Sequence, residues 1–293
     1  MKKTLIALAA LASTAAFAQS SVTLGGTFNV DVNNTPVRGS TAAANTVGMG
    51  DAILSATVKE DLGGGMNVTA NTTLQTKNGR SGTVTNNGYS FAFGTANAGS
   101  LTLKNYLNGG AGLSAGVSAT NDMNTIVAAY NVRTRLEYAL PTFVKGLSVA
   151  VRYDTTSADA STAAGAVSLK DQTTKYGVSY ANGPLSAGFT GSKTDSFDAW
   201  TVGYDFGVAK AAYYRTNPLT GAARNEMTVV APFGATTVGV HAITGAAKGY
   251  GLVASYALSK RTVLSANFVK QTTGADSTWN GKSNTRVRLS HSF

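Results

Sequence analysis

The chain has 293 residues, of which 43% are hydrophobic and only 13% charged, with no Cys and a formal charge of +10. The missing Cys excludes a disulfide-framed secreted domain and any thiolate metal site, and the charged fraction is about half of the ~25% usual in soluble domains. A mean hydropathy near zero combined with 33 Gly fits a wall with one face against lipid and the other against water.

At the amino end Lys2 and Lys3 precede an apolar run from Leu5 to Phe17, and Ala16-Phe17-Ala18 before Gln19 has the small-x-small form of a signal-peptidase site. Residues 1–18 are therefore expected to be a removed secretory signal. The run is too short for a spanning helix, and no later stretch approaches the ~18 apolar residues that one needs. A mature chain that sits in a membrane then does so as a barrel. Residues 19–293 suit a single barrel domain, and losing Lys2 and Lys3 takes the +10 to +8.

Period-2 alternation runs down the rest of the chain. Val22, Leu24, Phe28, Val30 and Val32 alternate with Thr23, Thr27, Asn29 and Asp31, and Met66, Val68, Ala70 and Leu74 with Asn67, Thr69, Asn71 and Thr73. Later, Leu147, Val149, Val151 and Tyr153 alternate with Ser148, Ala150 and Arg152, and Trp200, Val202, Tyr204 and Phe206 with Thr201, Gly203 and Asp205. Short turns fall at 61–65, 97–99, 141–146, 182–184, 206–207, 233–235 and 258–261. Mostly longer polar connections fall at 33–49, 76–87, 105–131, 155–172, 192–198, 216–224, 245–248 and 271–284. Seven turns and eight loops join sixteen strands, so the fold expected is an all-β transmembrane antiparallel β-barrel of about sixteen strands, with short periplasmic turns and long outer loops. The last nine residues repeat the signature: Thr285, Val287, Leu289, His291 and Phe293 share one parity, and Arg286, Arg288, Ser290 and Ser292 the other.

Aromatic residues gather toward both strand ends. Tyr138, Tyr180, Tyr256 and Phe293 fall near the short-turn ends, whereas Tyr89, Tyr153 and Trp200 fall near the long-loop ends, as two interfacial girdles require.

Four stretches together resemble the general porins of Gram-negative outer membranes: Gln19-Ser-Ser-Val-Thr-Leu24, Glu60-Asp-Leu-Gly-Gly-Gly65, Tyr256-Ala-Leu-Ser-Lys-Arg-Thr262 and Thr285 to Phe293. The resemblance implies a homotrimeric, sixteen-stranded diffusion channel in the outer membrane, with lipopolysaccharide around it and Phe293 acting as an assembly signal. The chain departs from the family pattern twice. Leu107-Asn-Gly-Gly-Ala-Gly112 stands where the third outer loop usually carries Pro-Glu-Phe-Gly-Gly, and Leu103-Lys104-Asn105 where Leu-Gly-Arg is common. Inward folding of that loop is implied by the resemblance alone.

Alternation places Val132, Thr134, Leu136, Tyr138 and Leu140 toward lipid and Arg133, Arg135, Glu137 and Ala139 toward the lumen. Lys104, Arg152, Lys175, Arg286 and Arg288 share lumen parity, against Asp31, Glu137 and Asp205 among the acids, and loop 105–131 adds one acid, Asp122. The candidate pore-lining set is Lys104, Asp122, Arg133, Arg135, Glu137, Arg152 and Lys175. Its cationic surplus predicts passive diffusion of small hydrophilic solutes and ions with a mild preference for inorganic or organic anions. The alternative is that these cations only pair with loop acids or bind lipopolysaccharide phosphates at the outer rim; for Lys170, Lys193 and Arg224 on outer loops a lipopolysaccharide-binding or solvated-surface role is expected.

Enzymatic chemistry finds little support. His241 and His291 are the only histidines; Ser255 or Ser265 could approach His241 from neighbouring strands, but no motif marks either serine. His241 reads as a satisfied lumen residue and His291 as an interfacial one. No HExxH and no Cys cluster is present, and the Gly-rich stretches lack a following helix, so no catalytic residue, metal or cofactor is expected. The basic charge has no clustered aromatic face for nucleic acid. A barrel hydrolase and an adhesive barrel with a plugged lumen remain the competing readings.

Overall fold

A computed structural model of the chain describes residues 20–36, 43–76, 84–108, 131–155, 172–192, 197–218, 221–273 and 281–293. The expected signal at 1–18, Asp122 with most of its loop, Lys170 and Lys193 lie outside these residues. The strands are β1 (Ser21–Pro36), β2 (Ala43–Gly63), β3 (Met66–Thr76), β4 (Val84–Thr95), β5 (Gly99–Asn108), β6 (Asn131–Ala139), β7 (Leu147–Thr155) and β8 (Gln172–Asn182). They continue as β9 (Leu185–Ser192), β10 (Phe197–Asp205), β11 (Lys210–Pro218), β12 (Arg224–Phe233), β13 (Thr236–Gly245), β14 (Lys248–Ala257), β15 (Thr262–Thr273) and β16 (Ser283–Ser292). Each strand pairs antiparallel with its chain neighbours, and β1 pairs with β16, so the sheet is a closed barrel.

The alternation decides which way each strand faces. On β13 Val240 is 49% exposed while the next residue, His241, is 6% exposed. This is the inverse of a soluble protein, in which the large apolar side chain goes inside. Val202, Leu252, Val287 and Leu289 are likewise exposed on the outer wall, whereas Asn29, Asp31, Thr201 and Asn267 are buried on the lumenal side. An outer apolar surface of this kind is stable only against hydrocarbon.

Turn chemistry fixes the short-turn end. Asp61 Oδ1 accepts from Gly63 N at 2.9 Å, Thr95 Oγ1 from Ala98 N at 2.8 Å and Asp205 Oδ1 from Gly207 N at 2.9 Å. Ser259 Oγ accepts from the amides of Arg261 and Thr262 at 3.1 and 3.0 Å. These side chains replace carbonyls the turning backbone cannot present. Gly99 sits at φ +82°, and a Cβ there would strike the Ala139 carbonyl, so this hairpin requires glycine on both counts.

Pairing reaches further than the polar composition suggests at the long-loop end. Residues 33–49 were expected as a connection, yet Asn33 to Pro36 pair with Thr46 to Ala43 as a continuation of β1 and β2. Thr85 and Asn86 likewise pair with Gln75 and Leu74. Asn is a poor strand former and Thr a good one, and once two strands leave the membrane in register each further pair extends the ladder without new loop closure.

The seam ends on the terminal residue. Gly26 and Phe293 exchange backbone hydrogen bonds at 3.3 and 3.1 Å, and the Phe293 ring stacks on Phe28 with centroids 5.6 Å apart. A Cβ on Gly26 would run into the Phe293 ring, so the glycine makes room for it. Phe293→Ser should lower the yield of folded barrel in detergent refolding and its thermal midpoint, since an aromatic pair contributes about 0.5–1.5 kcal/mol beyond area burial. Phe293→Tyr should retain both, and equal yields for the two variants would contradict a role for the ring.

Candidate pore lining

Hairpins β5–β6 and β7–β8 carry their charged residues on the lumenal parity, and register brings them side by side. Lys104 lies opposite Arg135, and Arg135 opposite Asp154. One step along, Glu137 lies opposite Arg152, and Arg152 opposite Lys175. Six charges from four strands therefore form one sheet-wide patch.

The two carboxylates hold the four cations. Asp154, with no exposed side-chain surface, accepts from Arg135 Nε at 2.5 Å and Nη2 at 2.9 Å and from Lys175 Nζ at 3.0 Å. Glu137 Oε2 accepts from Arg152 Nε at 2.6 Å and Lys104 Nζ at 3.4 Å, with Arg135 Nη1 at 3.9 Å. Guanidinium–carboxylate pairing through Nε fixes the arginines against the wall. Gly177 contributes by having no side chain: a Cβ there would come within 3.0 Å of Arg152 Nη1, so glycine lets this guanidinium lie over β8. Four cations against two carboxylates leave the patch at a formal +2.

The opposite wall is closer to balance. Arg288 donates to both oxygens of Asp31 at 2.6 Å, and a Cβ on Gly50 would meet Asp31 Oδ2 at 2.5 Å, so Gly50 leaves space for that pair. On β12 and β13, Arg224 donates to Glu226, and His241 Nε2 lies 3.4 Å from Glu226 Oε2.

Of the seven sequence candidates, the structure brings together Lys104, Arg135, Glu137, Arg152 and Lys175. Arg133 lies in β6 opposite Tyr106, its side chain outside the described residues, as is Asp122. Two lumenal acids escaped the sequence reading, Asp154 and Glu226. Asp154 shares the parity of Arg152 and so carried a usable signal; beside Thr155, at the edge of an apparent loop, it looked like a loop residue. Arg224 is a correction: it opens β12 with a side chain only 12% exposed against Glu226, rather than standing on a solvated loop. The suggested serine approach to His241 also fails, because its cross-strand neighbours are Thr228 and Gly251, while Ser255 pairs with Thr237 and Ser265. His291 is exposed, its Nδ1 2.9 Å from Thr262 Oγ1. Among the described residues no three His, Cys, Asp or Glu side chains gather as a metal set.

Comparison with known proteins bears on the same architecture. A model of the Gram-negative porin family matches residues 4–276. No curated protein matches the sequence. Among solved structures, the chain is similar to OmpF of Salmonella typhi in complex with daunomycin, at 13% identity and a TM-score of 0.69, covering 93% of this chain and 97% of that one. It is similar to an anion-selective porin from Comamonas acidovorans at 21% identity and a TM-score of 0.64, covering 94% and 100%. A porin of Rhodopseudomonas blastica, as a triple mutant, matches at 15% identity and a TM-score of 0.66, covering 93% and 100%. With a closed sixteen-stranded barrel whose wall is apolar outside and charged inside, the chain belongs to the Gram-negative porin family and is a passive diffusion channel of the outer membrane.

Proposed function

We propose that the channel has a mild preference for anions, set by Lys104, Arg135, Arg152 and Lys175 against Glu137 and Asp154, with Arg133 on the same strand parity. The observation that carries this reading is the +2 surplus of the β5–β8 patch. A unit charge at ~8 Å in water interacts with a passing ion by about 0.5 kcal/mol, roughly halved by screening in 0.1 M salt. Two surplus charges thus separate a monovalent anion from a cation by about 1 kcal/mol, or roughly fivefold in permeability. This is selection without a binding site deep enough to trap solute. The fold shared with a porin described as anion-selective is in keeping with this reading.

The remaining parts of the proposal rest on the sequence: Lys2, Lys3, the apolar run and Ala16-Phe17-Ala18 support a removed signal at residues 1–18, and the family resemblance supports a homotrimer with lipopolysaccharide around its outer rim. The channel carries out no reaction. The hydrolase reading loses its support because neither Ser255 nor Ser265 is a register neighbour of His241.

The test is the reversal potential of the purified protein in a planar bilayer under a KCl gradient. Chloride should be favoured about two- to fivefold at 0.1 M, with the bias shrinking toward 1 M as screening grows. Arg135→Ala/Arg152→Ala, which removes the surplus, should abolish it, whereas a potassium-favouring channel would refute the assignment. The hydrolase and adhesive readings would move ahead if no current flowed.

Asp154→Asn should act in two directions at once. Leaving Arg135 and Lys175 without their buried counter-charge should lower barrel stability by about 3–5 kcal/mol. The channels that do fold should favour chloride more strongly than the parent. Chemical denaturation and the same bilayer recording check the two effects separately.

A further inference from the structure

Each lumenal carboxylate of the β5–β8 patch holds more than one cation: Asp154 takes Arg135 and Lys175, and Glu137 takes Arg152 and Lys104. Glu226 of β12, more deeply buried than Glu137, follows the same plan with one change. Its Oε1 accepts from Arg224, and its Oε2 faces Nε2 of His241 on β13 at 3.4 Å. Histidine thus stands where the other two carboxylates have lysine, and its charge is conditional. Imidazole ordinarily gains or loses its proton between about pH 5 and 8, whereas lysine stays charged throughout that range.

Few other groups bear on this imidazole. His241 is buried on the lumenal parity, with Thr228 of β12 and Gly251 of β14 as its cross-strand neighbours. Arg224 and Glu226 are the charged residues of β12, and the lumenal positions on either side of His241 along β13, Gly239 and Ile243, are uncharged. On β14 the charged residue is Lys248, exposed at the loop end, and Tyr250 and Tyr256 are exposed on the outer wall. Beyond Glu226, β11 adds Tyr214 opposite it and, at the turn, Lys210 paired with Asp205. Among the described residues neither ring nitrogen of His241 makes a hydrogen bond, so no fixed donor commits the ring to its neutral form. A charge-assisted N–H···O bond is about 2.7–2.9 Å long, and the 3.4 Å separation leaves room for the contact to close when the ring gains a proton.

We propose that His241 is a proton-operated cation of the pore wall, held by Glu226, which raises the anion preference of the channel as pH falls. With a neutral ring Arg224 and Glu226 cancel, and the surplus of the two clusters is the +2 of the β5–β8 patch; with an imidazolium it becomes +3. Burial does not remove this charge from the ion's path, because its field reaches the lumen through the wall. On the scale that gives two surplus charges a roughly fivefold preference, a third of equal weight multiplies the chloride-to-potassium ratio by about two. The inference rests on the channel reading and supplies its regulation, but it does not depend on the sign of the fixed bias.

The test records the reversal potential of the full chain in 0.1 M KCl gradients from about pH 8.5 down to pH 5.5. The chloride-to-potassium ratio of the parent should rise about twofold over that interval. His241→Gln should stay at the high-pH value and His241→Lys at the low-pH value, both without a slope, while His291→Gln should keep the slope of the parent. A flat parent, or a slope surviving in His241→Gln, would overturn the proposal. A channel that favours potassium yet shifts twofold toward chloride on acidification would refute the fixed anion preference and leave the switch standing. Histidine Cε1–H resonances of the parent in detergent, assigned by difference from His291→Gln, give a readout that needs neither a folded His241 variant nor a current. A His241 signal that fails to titrate between about pH 5.5 and 8.5 would overturn the proposal equally.

Discussion

Everything in this molecule depends on closing the hydrogen-bond ladder between β1 and β16. In hydrocarbon no water is present to satisfy an unpaired amide or carbonyl, and each one left open costs several kcal/mol. An open sixteen-stranded sheet would expose two whole edges to lipid. The register from Thr27–Ser292 to Asn34–Thr285 removes both, and the Gly26–Phe293 exchange extends the pairing to the terminal residue. Closure also makes alternation meaningful, because only a closed sheet has an inside and an outside that every strand must respect.

The lumenal wall shows how a polar pore keeps charge without losing stability. Lone cations against the wall would move freely, whereas two carboxylates beneath four cations hold them in one geometry and leave a net positive face. In the proposed reading, selectivity comes from the surplus over the patch rather than from any single residue. The opposite wall contributes less, since Asp31 neutralises Arg288 and Glu226 sits between Arg224 and His241. On that reading an ion crossing the pore meets an asymmetric field, positive along β5–β8, with Asp154, Asp31 and Glu226 buried beneath their cations.

Much of this was legible in the sequence, for a physical reason. A strand between two solvents must alternate, so Thr285 to Phe293 could be sorted into lipid and lumen faces residue by residue, and the turn chemistry of Asp61 with its glycines and of Ser259 marked one rim. What alternation cannot supply is register. That Arg135 meets Asp154 while Arg152 meets Glu137 depends on how neighbouring strands slide, which no single strand records. Arg224 was misplaced for a related reason: Gly221 and the polar residues around it read as loop, yet pairing with β13 begins at Arg224 itself.

The most direct test of the two-solvent wall uses the absence of native Cys. Single changes Ser290→Cys and Leu289→Cys place thiols on adjacent residues of β16, one on each side of the barrel wall. A charged, membrane-impermeant thiosulfonate added to the bilayer chamber should step down the current of the Ser290 variant and leave the Leu289 variant untouched. Current block in the Leu289 variant with none in the Ser290 variant would reverse the faces of the strand, and with them the assignment of every lumenal charge.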